Sequence, residues 1–257
     1  MAAEGLVTIK DRLATQPCSQ RIPPIVYQTW VNNDLFETHA GQVEIFRSIN
    51  PNLSFELFTN EMVEEYMSRV WKGTQILSIF ERATYYPMKA DIFRYCMLYE
   101  RGGYYFDISK ACRVPITALH QPNDSCLLSY ERNDCLIYPD SRLEKVLQYP
   151  HKFFLQWGLG FTSKHPILKR VIELIERHAA AFVDRVFEIP KHGILMLSGP
   201  GMYTRAVREL FLEDSQIEHT QAGIDFNEQG VIALLGSDSR YRHSPAYGEV
   251  RNAPILV

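Results

Sequence analysis

Residues 87–110, PMKADIFRYCMLYERGGYYFDISK, constrain this chain more than any other stretch. Pro87 suits the first turn of a helix, and Gly102-Gly103 ends it. YYFDI (104–108) then reads as a strand of β-favouring residues. On the helix, Asp91 and Arg94 stand three apart and share a face. Pro87 and Leu98 continue that stripe with apolar side chains, so the face points inward. A buried acid and base must be paired or must hold a ligand. From Asp91 to Gly102 the helix rises about 16 Å, and from Gly102 to Asp107 the strand travels back about 16 Å. The glycine reversal therefore sets Asp107 level with Asp91, and three charged groups converge at a strand end. Taken singly, Asp91–Arg94 is a structural ion pair and Asp107 a strand-end cap. Taken together with the reversal, they make a site.

Strand and helix patterns alternate around this segment. IPPIVYQTW (22–30) reads as a first buried strand ending at Gln28. GQVEIFRSIN suits a short helix closed by Asn50-Pro51, and LSFELFT (53–59) a second strand. Asn60 is placed to cap a helix over EMVEEYMSRV. Residues 74–82 look helical, CLLSYE (126–131) strand-like, and FFLQWGLGFTS (153–163) apolar enough for one central strand. His165-Pro166 opens the amphipathic helix PILKRVIELIERHAAAFV, and SGPG (198–201) leads into the helix MYTRAVRELFL. This order predicts an α/β fold: a single Rossmann-like, mostly parallel sheet flanked by helices, with the site beyond the carboxyl ends of the strands. Residues 1–21 read as an N-terminal arm, and 22–257 as one domain with an irregular tail from 215 onward.

Composition narrows the function. The 257 residues carry 27 Lys and Arg against 30 Asp and Glu, a net charge of −3. That balance speaks against a dedicated nucleic-acid binder, which shows a concentrated basic stripe. No window approaches the ~20 apolar residues of a membrane span, and the N-terminus lacks an apolar signal core. A cytoplasmic protein is expected. The five cysteines form no C-x-x-C pair, which fits reduced thiols and not a zinc cluster.

The string KADIFRYCMLYERGGYYFDIS resembles the signature of glycosyltransferase family 32, whose DxD-motif members include the fungal initiation-specific α-1,6-mannosyltransferases. A more distant resemblance runs to the glucosyltransferase domains of the large clostridial toxins. IPPIVYQTW, NPNLSFELFTN, QWGLGFTSKHPIL and LSGPGMYTRAV resemble further family segments, in order, over about residues 22–207. The resemblance implies a GT-A fold and a retaining, metal-assisted transfer of a hexose. The donor would be a UDP-sugar or GDP-sugar, the acceptor a glycan or other hydroxyl, and the cofactor Mn²⁺ or Mg²⁺. It implies that Asp91 and Arg94 hold the donor's hydroxyls and diphosphate side, and that Gln28, Thr29 and Trp30 lie at the nucleotide end. Tyr105, Phe106, Asp107 and Ser109 form the donor-facing stretch, with Asp107 the first acid of the DxD motif.

One departure stands out: the second acid is Ser109, giving D-I-S. Three outcomes follow. Asp107 holds the metal with the diphosphate, water and a tail residue, for which His243 is the candidate; the metal binds weakly, or a cation such as Lys110 replaces part of its role; or catalysis is lost, leaving a non-catalytic nucleotide-sugar or glycan-binding module. Gln156 and Trp157 are candidates for the acceptor side, although an apolar-run Trp also suits the core. The family's fungal members are Golgi-anchored. The absence of an anchor here fits a cytoplasmic enzyme of polysaccharide biosynthesis, compatible with peripheral membrane association.

Overall fold

The computed structural model describes residues 21–35, 40–213, 217–232 and 249–257. The N-terminal arm to residue 20 and His243 lie outside the described residues. Strand β1 (Ile25–Trp30) runs two residues beyond Gln28. Helix α1 (Ala40–Ser48) leads into β2 (Ser54–Thr59), which pairs with β1 in parallel. The next helix, α2 (Asn60–Val70), is capped one residue earlier than the sequence suggests. Thr59 Oγ1 accepts from the Met62 N–H at 3.3 Å, and Asn60 is already helical. Helix α3 (Gln75–Arg82) is capped in the same way by Thr74.

Helix α4 (Tyr86–Arg101) carries Pro87 in its first turn. Met88, Ile92, Phe93, Tyr95, Cys96, Met97 and Leu98 are all buried, so apolar side chains surround most of this helix, as a central helix requires. Gly102 ends it with φ +65°, and Gly103 at φ +102° starts β3 (Gly103–Phe106). Neither conformation suits a residue with a Cβ.

The remaining elements extend the sheet, flank it or pair beside it. They are β4 (Lys110–Cys112), β5 (Cys126–Asp134), β6 (Lys152–Phe154), β7 (Gly158–Phe161), α5 (Pro166–His178), β8 (Val186–Phe187), α6 (Pro190–Leu197), α7 (Pro200–Glu213), β9 (His219–Ile224), β10 (Gly230–Ile232) and β11 (Ala253–Pro254). β3 pairs with β1 in parallel; β7 is antiparallel to both β3 and β5; β9 is parallel to β5. So β1, β2, β3, β5 and β9 all run one way, and β6–β7 alone among the strands of this sheet run back. Two apolar layers cover it. One gathers α2–α5 and α7 around Tyr27, Phe93, Tyr95 and Tyr105; the other packs Val26, Phe46, Tyr104, Phe106 and Phe226.

Two expectations change. FFLQWGLGFTS is not one uninterrupted strand: residues 155–157 separate β6 from β7, and between the Tyr130–Phe154 and Leu127–Gly160 pairs it runs three residues longer than β5, a bulge in the ladder. Leu155 keeps the ladder through its N–H to the Ser129 carbonyl, 2.8 Å. The tail is also less irregular than its composition suggests. β9 joins the main sheet, β10 pairs with β4, and β11 pairs with β8. Tertiary pairing there overrides weak local propensity. The four described cysteines, Cys96, Cys112, Cys126 and Cys135, are free.

Candidate functional site

The strands that run forward end at one edge of the sheet, and the chain leaves β3 there in a tight turn. Asp107, Ile108 and Ser109 form that turn, with the Lys110 N–H donating to the Asp107 carbonyl at 2.8 Å. The first half of helix α4, which packs on one face of the sheet, reaches the same edge. Arg94 Nη2 reaches Asp91 Oδ1 at 3.2 Å and Asp107 Oδ1 at 3.1 Å. The helix–glycine–strand reversal thus brings the three charged groups together. Arg94 Nη1 donates to the Gln156 carbonyl at 3.0 Å, and its guanidinium stacks 4.4 Å over the Tyr105 ring. The Tyr105 hydroxyl is 2.8 Å from Thr29 Oγ1.

Further layers hold these contacts in place. Ser198 Oγ, between α6 and α7, donates to Asp91 Oδ2 at 2.9 Å. Gln156 Nε2 donates to the Ser198 carbonyl at 3.1 Å, and the Tyr95 hydroxyl donates to the same carbonyl at 2.9 Å. Residues 155–157, between β6 and β7, present the Gln156 carbonyl to Arg94. The Trp157 carbonyl accepts from the Asp107 N–H at 2.9 Å, which carries the β3–β7 pairing one step beyond Phe106 and Gly158.

Burial divides the triad. The side chains of Asp91 and Arg94 are buried, and Arg94 keeps only 7% of its side-chain surface exposed, whereas Asp107 keeps 33%. Burial pushes the Asp91 carboxyl up to about 7, against the opposing pull of Arg94 and the Ser198 hydroxyl. Arg94 is held above its ordinary range by Asp107, Tyr105 and Asp91, although burial opposes this. Burial likewise raises the Tyr105 phenol. The arginine therefore stays charged, shared between two carboxylates.

The Q-T-W segment is split by strand alternation. Thr29 faces α4 with Tyr105; Gln28 and Trp30 occupy the other face, the side of Val26. Gln28 is buried, and its amide oxygen and nitrogen both lack a hydrogen-bond partner among the described residues. Such a group is costly unless something else satisfies it. Phe106 corrects an expectation. Its ring is fully buried between Phe46, Trp157 and Phe226, so it belongs to the core and not to a donor-facing surface. Lys110 Nζ sits 5.1 Å over the Trp157 ring.

As for a metal, no group of three His, Cys, Asp or Glu side chains is placed to hold one among the described residues. What the turn offers is one partly exposed carboxylate, Asp107, and the neighbouring Ser109. Hard oxygen donors of this kind suit Mg²⁺ or Mn²⁺ when substrate phosphates and water complete the shell.

Sequence reasoning did not single out Ser198, which donates to Asp91, or Tyr95, whose hydroxyl donates to the Ser198 carbonyl. Tyr95 was within reach, because it lies four residues from Asp91 on the same helical face. Nothing local ties Ser198 to Asp91, 107 residues away.

Residues 37–126 match the family described as "Glycosyltransferase sugar-binding region containing DXD motif", and the helix, the glycine pair and Asp107 all fall inside that match. The relatives are fungal sugar transferases. Inositol phosphoceramide mannosyltransferase 3 of Schizosaccharomyces pombe (strain 972) is 30% identical over 162 residues, covering 63% of this chain and 39% of that protein. The initiation-specific alpha-1,6-mannosyltransferase of the same yeast is 27% identical over 206 residues, 75% of this chain and 50% of that protein. The chain thus spans about two fifths to half the length of these relatives. In fold it is similar to the PaToxG glycosyltransferase, with a TM-score of 0.55 at 15% identity, over 77% of this chain and 73% of that one. The GT-A-type architecture expected from sequence is the one present. No helix among the described residues is long and apolar enough to cross a membrane.

Proposed function

We propose that this chain is a retaining glycosyltransferase that moves a hexose from a nucleoside-diphosphate sugar to an acceptor hydroxyl. The observation that carries the reading is Arg94 clamped between Asp91 and Asp107 at the carboxyl edge of the sheet, where open α/β sheets bind ligands. The Gln28 amide, which has no hydrogen-bond partner among the described residues, supports it, since a bound donor would satisfy that group. The relatives' names point to mannose as the sugar and to a glycolipid or glycan as the acceptor.

In this reading the residues have distinct tasks. Asp107 is the exposed member of the triad and meets the donor. Asp91 and Arg94, fully engaged within the chain, are positioning residues that fix its carboxylate before the donor arrives, so no reorganisation is needed during the reaction. As the bond from the anomeric carbon to the diphosphate oxygen breaks, its electron pair stays with the diphosphate. The sugar becomes oxocarbenium-like, which nearby carboxylates favour. The acceptor oxygen forms the new bond, and its proton leaves to the departing diphosphate. A divalent cation at Asp107, with Ser109 beside it, would neutralise charge on that leaving group.

Ser109 in place of a second acid favours one alternative: a module that binds nucleotide sugars without turning them over. The test is a thermal-shift and calorimetric screen of UDP- and GDP-sugars with and without Mn²⁺. A donor at 100 times its Kd raises stability by about 2.7 kcal/mol. One donor should bind and be slowly hydrolysed, and Asp107→Asn should lower that hydrolysis by at least about a hundredfold. Binding that ignores EDTA and yields no turnover supports the module. If no nucleotide sugar binds, both readings fail.

A further inference from the structure

The loop between β5 and β6 stands at the same sheet edge as Asp107, because β5 runs in the direction of β3. It opens with Cys135-Leu136-Ile137-Tyr138-Pro139. Leu136 is 93% exposed, Ile137 69% and Tyr138 87%, more than any other large apolar side chain among the described residues. Scattered single apolar residues on a surface mean little, but three in succession at one tip form a patch.

This tip is held in place. Arg208, itself buried on α7, donates to the Ile137 carbonyl at 2.8 Å and to the Pro150 carbonyl, so one guanidinium spans both legs of the loop. The Cys135 N–H donates to the His151 carbonyl at 2.8 Å. Asp140 caps the 3₁₀ turn Ser141–Lys145, and Leu143 and Leu147 are buried beneath it. The loop therefore buries two leucines and anchors its backbone while turning Leu136, Ile137 and Tyr138 outward.

Shape and charge say what covers them. Consecutive side chains on a protruding tip make a wedge, whereas the core of a protein interface is a broad, close-packed surface. A wedge of Leu, Ile and Tyr suits the headgroup–acyl boundary of a bilayer, where Tyr is favoured. Along 131–152 the acids Glu131, Asp134, Asp140 and Glu144 match the bases Arg132, Arg142, Lys145 and Lys152 in number. Arg132 pairs with Asp225 and Glu228, Arg142 with Asp140, and Lys152 with Asp134. The patch thus presents no net charge for an acidic partner or an anionic lipid to recognise.

We infer that Leu136, Ile137 and Tyr138 insert into the surface of a lipid bilayer, holding the sheet edge that carries Asp107 against the membrane and toward acceptor hydroxyls borne by lipids. The acceptor clause rests on the transferase reading above; the membrane contact does not. The test is co-sedimentation of the full chain with neutral phosphatidylcholine vesicles at 0.1 and 0.5 M NaCl. The wild type should sediment at both, with partitioning changed less than about twofold, because no net charge is there to screen. The variant L136S/I137S/Y138S should partition at least about tenfold more weakly, with an unchanged circular-dichroism spectrum and unchanged nucleotide-sugar binding. In Tyr138→Trp the indole emission should shift to the blue when vesicles are added. Failure of the wild type to sediment, equal sedimentation of the triple variant, or a concentration-dependent dimer that the triple variant abolishes would each overturn the inference. Absent donor binding with sedimentation intact overturns the transferase reading alone.

Discussion

Arg94 serves two carboxylates of unequal exposure, and this has a consequence for acid–base behaviour. Asp91 is raised to about 7 chiefly by burial, well above the ordinary 3.8. Between those values the folded chain binds more protons than the unfolded chain. Stability contributed by a protonated Asp91 is therefore full below about 4 and declines as pH rises through 7. Asp91→Asn removes this titration and keeps the acceptor for Ser198. The difference in unfolding free energy between wild type and Asp91→Asn should change monotonically from pH 4 to 8, with the wild type losing ground as pH rises. Urea titrations at four pH values check this, and a flat difference would mean that Arg94 keeps Asp91 ionised throughout. The triad was legible in sequence because its geometry is local, a helix spacing of three and one glycine reversal. Gln156 and Ser198 are tied to it through a strand bulge and a distant helix junction. No spacing rule carries that information.

At the scale of elements, the glycine pair is what makes α4 and β3 a unit. Gly103 has φ +102°, and a Cβ there would meet Ile25 Cγ2 and the Ile25 carbonyl oxygen, each at 2.8 Å. Backbone strain adds to overpacking against β1, the strand that carries Gln28 and Thr29. Gly103→Ala should therefore cost about 2–5 kcal/mol, read as a lowered urea midpoint with an unchanged slope. Helices and strands with strong period or clear punctuation were readable: Pro87 and Gly102 bracket α4 to within a residue. The bulge at 155–157 was not, because Leu155, Gln156 and Trp157 continue an apolar run and only the partner strand reveals the break. Helix α6 was also missed, since Pro190 to Leu197 are too few residues to show a helical period over their apolar content.

At the scale of the whole molecule, residues 253–256 tie two distant parts of the chain together. Ile255 and Leu256 are fully buried, and Leu256 bridges to both Ala83 and Val183. The Thr84 N–H donates to the Ile255 carbonyl at 3.0 Å. Leu256→Ala should cost about 2–5 kcal/mol through lost burial and an added cavity. That corresponds to a Tm lower by roughly 2–4 °C per kcal/mol for a chain of this size, which a calorimetric scan would measure. An unaltered Tm would show that these residues lie on the core and not within it. The clasp also orders events at the ribosome. Once α7 has emerged, β5 still lacks β9 along one side, and the seat for Ile255 and Leu256 stands open. At roughly 5–20 residues per second, the remaining stretch takes a few seconds to arrive. For that interval the nascent chain carries an unpaired strand edge beside exposed apolar surface, the combination most prone to pairing with a neighbour. Yield on expression should thus depend on how fast the segment from β9 to Leu256 is delivered, independently of how stable the folded protein is.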